Sequence, residues 1–143
     1  MLFACVPMLM DTGGNSGSQA SVTVIRAIAL GELTVKDTGK VLWKEIRVSM
    51  LLAATLAVAC FAKLQLIDRL LFGYADYTVL LSAIVSLALF CTVILAKLVG
   101  CLLPLIVKAC KLDPAAVASP FITTIVDAVS LILFCGLSIV ILG

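Results

Sequence analysis

The chain has 143 residues, of which 64% are hydrophobic and 13% charged, and it carries a net charge of +2 and a mean hydropathy of +1.30. Soluble domains are roughly half apolar and about a quarter charged, so this composition indicates a membrane protein. The small net charge argues against a nucleic-acid partner. The absence of histidine removes the commonest general base and transition-metal ligand.

Continuous apolar runs such as residues 51–62 lack the alternation of barrel strands and predict helices. We expect an all-α membrane bundle in which each helix approaches or exceeds the ~20 residues needed to span a bilayer. Four spans are predicted, at residues 1–30, 45–71, 77–108 and 114–142. The first six residues lack the basic start and cleavage site of a signal peptide and look like the end of a helix. We therefore expect the chain to be a fragment.

Polar residues of the first segment form one stripe. Spaced 3, 4, 4 and 3 residues apart, they fall within roughly 80° around a helix. They are Thr12, Asn15, Gln19, Thr23 and Arg26, with Asp11 beside them. Gly13 and Gly17 form a GxxxG motif, which allows close helix packing. The glycines alone favour packing, whereas the stripe favours the wall of a hydrated cavity.

The connections between segments predict the orientation. Basic residues concentrate in the first connection, 31–47, and in the third, 104–114, which the positive-inside rule places on the cytoplasmic side. They are Lys36, Lys40, Lys44, Arg47, Lys108 and Lys111. In the second connection, Arg69 is offset by Asp68 and Asp76. Trp43 and its charged neighbours are typical of an interfacial anchor.

The fourth segment has the best-marked start, because Asp113 is a plausible N-cap and Pro114 suits the first helical turn. Its polar residues, spaced 4, 4 and 3 apart, again fall within roughly 80°. They are Ser119, Thr123, Asp127 and Ser130. Pro120 releases the carbonyl group of Ala116 from its helical hydrogen bond. Asp127 lies about 21 Å along the helix from Asp113, well inside the hydrocarbon.

The intramembrane Asp127 needs a proton, a basic partner, a cation or water. Lys97 is the candidate basic partner, and a structural Lys97–Asp127 pair would favour a non-transporting scaffold. For a cation, the lack of histidine and the position of the cysteines outside the stripes leave hard oxygen ligands. One carboxylate per chain suits hydrated Mg2+ better than dehydrated Ca2+. A two-fold dimer would bring two copies of Asp127 together.

Two motifs resemble the MgtE family of magnesium channels. Residues 7–19, PMLMDTGGNSGSQ, with Arg26 and Gly31-Glu32, resemble its signature, and the DPA…SPF…TT…D pattern of residues 113–127 resembles its last transmembrane helix. The resemblance covers nearly the whole chain.

The resemblance implies a homodimer of five-helix subunits with the pore at the dimer axis. The pore would be lined by residues 11–26 and 116–130. Asp127 would bind hydrated Mg2+, the Thr123 carbonyl group would face the ion, and Asn15 and Ser119 would line the pore, with Asp113 at its mouth. The two stripes add Thr12, Gln19 and Ser130 to the predicted lining and Asp11 to a mouth.

The chain also departs from the family. We expect these 143 residues to be the transmembrane ion-transport domain, without the family's first transmembrane helix and cytosolic regulatory domains. Lys97 stands where the family is expected to have asparagine, which makes it a gating or charge-pair candidate. We predict Mg2+ transport by a multi-pass cell-membrane protein that has no organic cofactor and is not an enzyme. The alternatives are exchange of Mg2+ for Na+ or H+, and the scaffold with a Lys97–Asp127 pair.

Overall fold

The computed structural model describes the backbone of residues 2–73 and 78–142, and all of their side chains except those of residues 2, 3, 35, 117–119 and 142. The described residues form helices joined by short turns and contain no strand, which confirms the all-α class. The helices are α1 (Val6–Ala29), α2 (Thr38–Ala62), α3 (Val79–Ala109) and α4 (Pro114–Leu142). Short 3-10 turns precede α1 at Leu2–Cys5 and α2 at Val35–Asp37.

Two helix starts follow from their capping residues. The backbone N–H of Ala115 donates to Oδ1 of Asp113 at 3.0 Å, which confirms the predicted start of α4 at Pro114. At α3, the N–H of Leu81 donates to Oγ1 of Thr78 at 3.3 Å. In both cases a side-chain oxygen satisfies an amide that has no partner within the helix.

Helix α2 begins at Thr38, earlier than the predicted residue 45, because a capping box precedes it. Thr34 donates to Oδ2 of Asp37 through its hydroxyl group at 2.7 Å and through its backbone N–H at 3.2 Å. These hydrogen bonds stabilise the charged carboxylate and hold the pKa of Asp37 below its usual value.

Beyond Ala62, α2 continues as a π-helical segment, Lys63–Leu71. Its wider turn brings residues five apart together, and Nζ of Lys63 lies 2.7 Å from Oδ2 of Asp68. Gln65 links the segment to α3 by donating to Oγ of Ser82 at 2.7 Å. Arg69 donates to Oε1 of Gln65 at 3.2 Å, so Asp68 pairs with Lys63 and not with Arg69. Asp76 lies outside the described residues.

Helix α3 is the centre of the bundle, since it packs against each of the other three helices, and α1 also packs against α4. One core cluster unites the start of α1, the end of α2, the start of α3 and the end of α4, so successive helices run in opposite directions. It includes Leu9, Leu64, Leu81 and Phe134. This alternation places the connections α1–α2 and α3–α4 at one end of the bundle.

Three helices are long and apolar enough to cross a membrane within the described part of the chain. They are Thr38–Leu71, Val79–Ala109 and Pro120–Ile141. The 24 residues of α1 extend over about 36 Å, which is long enough, but its polar stripe lowers its hydropathy. The predicted bundle is therefore present with three membrane spans identified by length and apolarity.

Candidate functional site

The polar stripe of α1 faces away from the bundle. Its residues Asp11, Asn15, Gln19, Thr23 and Arg26 are exposed, and Thr12 is partly exposed. The inner face of the helix consists mostly of small residues, including three glycines, Ser16 and Ala20. Polar residues thus face outward, as on a helix of a soluble protein, whereas a helix that faces lipid presents apolar residues on its outer side.

The GxxxG motif packs α1 between α3 and α4. A methyl group added to Gly13 would lie 2.8 Å from Cγ2 of Thr92 on α3 and 2.9 Å from Cγ1 of Val126 on α4. At Gly17 it would lie 2.9 Å from the carbonyl oxygen of Ala96. The motif therefore allows close helix packing on one face of α1, while the polar stripe occupies the other face.

On α4, Thr123 is exposed and Asp127 is partly exposed. The hydroxyl groups of Thr123 and Thr124 donate to the carbonyl oxygen of Pro120 at 3.1 and 3.0 Å. Both hydroxyl groups are therefore engaged by a backbone carbonyl group of the preceding turn of α4. The side chain of Ser119 lies outside the described residues.

Ser130 does not share this exposed surface. It is 1% exposed, its hydroxyl group donates to the carbonyl oxygen of Val126 at 2.6 Å, and it faces Gly13 of α1. The buried row of α4 repeats every four residues, through Ile122, Val126, Ser130 and Phe134. Each step of four residues turns about 40° beyond a full turn, so the buried face winds around α4. The straight stripe predicted from the sequence misplaced Ser130, which we remove from the candidate site.

The exposed residues of α1 and α4 lie on neighbouring surfaces. A methyl group at Gly14 would lie 3.9 Å from Cγ2 of Thr123. Val126 contacts the positions of both Gly13 and Gly17, so its neighbour Asp127 lies at the depth of that turn of α1. Asn15 is exposed in the same turn.

The two predicted mouth residues lie toward opposite ends of the bundle, because α1 and α4 are antiparallel. Asp11 is exposed near the start of α1, and Asp113 is exposed just before α4. Across the residues the structure describes, no group of three or more His, Cys, Asp or Glu is positioned to hold a metal ion within one chain.

Lys97 pairs with Glu45 of α2, not with Asp127. Its Nζ lies 2.9 Å from Oε1 of Glu45, and the two side chains are only 9% and 16% exposed. No ion pair of Asp127 is found among the described side chains, so the alternative with a Lys97–Asp127 pair is not supported. Glu45, grouped from the sequence with an interfacial anchor, is the partner that was missed. The sequence signal that could have identified Glu45 was its negative charge, opposite to that of Lys97, in a helix that packs against α3.

The profile of the MgtE family, described as a divalent cation transporter, matches residues 6–137. The chain belongs to the MgtE family.

Curated relatives agree with this assignment. The chain is 34% identical to the magnesium transporter MgtE of Thermus thermophilus over 133 residues, and 30% identical to that of Bacillus subtilis over 133 residues. Each alignment covers 93% of this chain and 28% of the relative. The magnesium transporter MgtE of Enterococcus faecalis is 22% identical over 138 residues, which are 96% of this chain and 29% of the relative.

The chain thus spans little more than a quarter of the length of these MgtE relatives. Its membership of a transporter family and its three long apolar helices identify it as a multi-pass membrane protein. Membership of a transporter family also points away from enzymatic activity.

Proposed function

We propose that this chain transports Mg2+ across the membrane as a homodimer, through a path between the outer faces of α1 and α4 of the two copies. The lining comes from residues 11–26 and 116–130, without the buried Ser130. The observation that carries this proposal is the position of Asp127. It is a partly exposed carboxylate in the apolar α4, at the depth of the polar outer face of α1.

The electrostatics support a cation path at this surface. A charged side chain in the middle of a bilayer costs a few kcal/mol even on the mildest scale. No described basic side chain pairs with Asp127, since Lys97 is engaged by Glu45. A two-fold axis beside α1 and α4 would surround two Asp127 carboxylates with water and polar side chains. That environment stabilises the carboxylates and attracts divalent cations.

The ligand chemistry favours a hydrated magnesium ion. Mg2+ holds its water strongly and typically takes one or two carboxylates. In the proposed path, Asp127 of each copy accepts hydrogen bonds from water bound to the ion. The Thr123 carbonyl group, Asn15, Gln19, Thr12 and Ser119 contribute further polar groups. Permeation also requires binding weak enough for release, which contacts through water provide.

The proposed dimer explains why α1 can be the fourth membrane-spanning helix. Its inner face is packed by glycine contacts, and its polar outer face would lie against the path instead of lipid. The basic connections α1–α2 and α3–α4 then lie on the cytoplasmic side. The Lys97–Glu45 pair weakens the scaffold alternative, which depended on Lys97 neutralising Asp127.

Flux into proteoliposomes tests the proposal. We expect wild-type Mg2+ flux to fall at least about tenfold in Asp127→Ala, equivalent to more than ~1.4 kcal/mol of barrier, because the path loses its carboxylates. The matched control is Ser130→Ala on the buried face of α4, which should retain flux within about twofold.

Unchanged flux in Asp127→Ala would reject the site, and absence of flux in the wild-type chain would reject the function. Flux that requires an opposing Na+ or H+ gradient would instead favour the exchanger.

A further inference from the structure

A polar cavity adjoins the polar stripe of α1, and Gln19, Thr23 and Arg26 of that stripe form part of its lining. It is a groove of about 700 Å³ between α1 and α2, with α3 behind it, at the end of the bundle that carries the basic connections. Five charged residues line it, namely Arg26, Glu32, Lys44, Glu45 and Lys97. The rest of the lining is largely apolar and includes Val24, Val41 and Val48.

The charges of the groove favour an anion. Lys97 and Glu45 neutralise one another at the inner wall, at 2.9 Å. Arg26 and Lys44 remain, both exposed and neither in an ion pair with another described residue, against Glu32 alone. The net charge of the lining is +1, from three basic and two acidic side chains.

The surroundings of the groove strengthen its positive potential. The same end of the bundle carries five further basic residues on the two basic connections and the helix ends beside them. They are Lys36, Lys40, Arg47, Lys108 and Lys111. On the membrane side, α2 continues from the groove with exposed apolar side chains such as Val48 and Leu51, which are 45% and 74% exposed.

We infer that the groove binds the headgroup of an anionic phospholipid from the cytoplasmic leaflet. Arg26 and Lys44 bind the phosphate group, because guanidinium and ammonium groups donate charge-assisted hydrogen bonds to phosphate oxygens. The acyl chains lie along the apolar face of α2. Basic pockets between transmembrane helices on the cytoplasmic side are typical sites for anionic headgroups. The groove volume also falls within the range of ligand pockets.

Native mass spectrometry of the 143-residue chain, titrated with phosphatidylglycerol or phosphatidylcholine in detergent, tests this site. We expect one phosphatidylglycerol per chain to bind at least about tenfold more tightly than phosphatidylcholine. Arg26→Gln with Lys44→Gln should abolish that preference. The matched control is Lys36→Gln with Lys111→Gln, which removes the same charge from the same end of the bundle but outside the groove.

A second variant tests the groove without changing its charge. Val48→Trp fills the exposed wall on α2 and should weaken phosphatidylglycerol binding while circular dichroism shows an unchanged helix content. Equal loss in the control double variant would overturn the proposal in favour of general surface charge. Full competition by soluble glycerol phosphate would overturn the lipid assignment. Absence of any bound phospholipid would overturn it too, as expected if another transmembrane segment fills the groove.

Discussion

The Lys97–Glu45 pair is the most consequential side-chain contact that the sequence did not predict. Each residue sits in a largely apolar helix, and both side chains are mostly buried at their contact between α2 and α3. Removing one member of a buried ion pair leaves an uncompensated charge, whereas replacing both can be neutral. The pair therefore constrains the packing of α2 against α3, although it need not add net stability.

This argument predicts a double-mutant cycle. Lys97→Met should lower the free energy of unfolding by about 3 kcal/mol, because Glu45 is left buried and unpaired. Adding Glu45→Met should restore it to within about 1 kcal/mol of wild type. The measurement is reversible unfolding in mixed micelles. Lys40→Met serves as the control, since Lys40 is 89% exposed and its pair with Asp37 is 3.9 Å long. Additive losses in the cycle would contradict the pairing.

Residue identities predicted some local features and not others. Asp113 followed by Pro114 is a local signal, and the helix starts there because the cap needs only neighbouring backbone. Partner choice across the bundle is not local. Lys97 had two carboxylates at plausible depths, and only the packing of α2 on α3 selects Glu45.

At the scale of elements, the approach of α1 to α3 is set by two glycines. A methyl group at Gly100 would overlap the carbonyl oxygen of Gly17 and lie 2.9 Å from its carbonyl carbon. Backbone atoms cannot rotate aside as a flexible side chain can, so any larger residue must separate the helices. The small-residue face of α1 depends on this contact.

Alanine substitutions at two different glycines should therefore have opposite effects on stability. Gly100→Ala should destabilise the fold by about 3 kcal/mol, at the upper end for overpacking, because it pushes α3 from α1. Gly136→Ala on α4 has no atom within 4 Å of its added methyl group and should stabilise the helix by up to about 1 kcal/mol. Thermal unfolding of both variants in one detergent measures the difference. Equal stabilities would contradict the close contact.

The capping box before α2 predicts a pH dependence. Hydrogen bonds from Thr34 lower the pKa of Asp37 from its ordinary value of 3.8. Because the folded pKa is depressed, the contribution of the box is present above the ordinary pKa and is lost as pH falls through the lowered one. Thr34→Ala should raise the pKa of Asp37 toward 3.8. A carboxyl carbon NMR titration measures it. Lys40→Met should change the pKa of Asp37 less than Thr34→Ala does. An ordinary pKa for Asp37 in the wild-type chain would contradict the capping box.

Sequence periodicity predicted the four helical segments, because long apolar runs have few alternatives in a membrane. It did not predict the start of α2, where the capping residues lie in a polar connection. It also did not predict that the buried face winds around α4, which turns Ser130 inward while Asp127 stays partly exposed. The first miss is a local capping effect outside the apolar run, whereas the second depends on tertiary packing, which a straight helical projection ignores.

For the whole molecule, the proposed dimer is testable with a matched pair of valines. Val22 on the outer face of α1 is 65% exposed, and Val58 on α2 is 70% exposed. Native mass spectrometry should show a wild-type dimer. Val22→Trp should shift it toward monomer by crowding the interface, and Val58→Trp should leave it a dimer because its side chain faces lipid. A monomeric wild-type chain, or equal effects of both variants, would contradict the arrangement.

The outward-facing polar stripe of α1 has a consequence for the insertion of the protein into the membrane. Helices α2, α3 and α4 are apolar enough to leave the translocon for lipid on their own, whereas α1 falls short. Yet α1 emerges from the ribosome before α3, whose Gly100 provides its packing surface. We therefore expect α1 to remain at the translocon or the membrane surface until α3 has been synthesised. Truncation of a nascent chain before residue 100 should leave α1 uninserted.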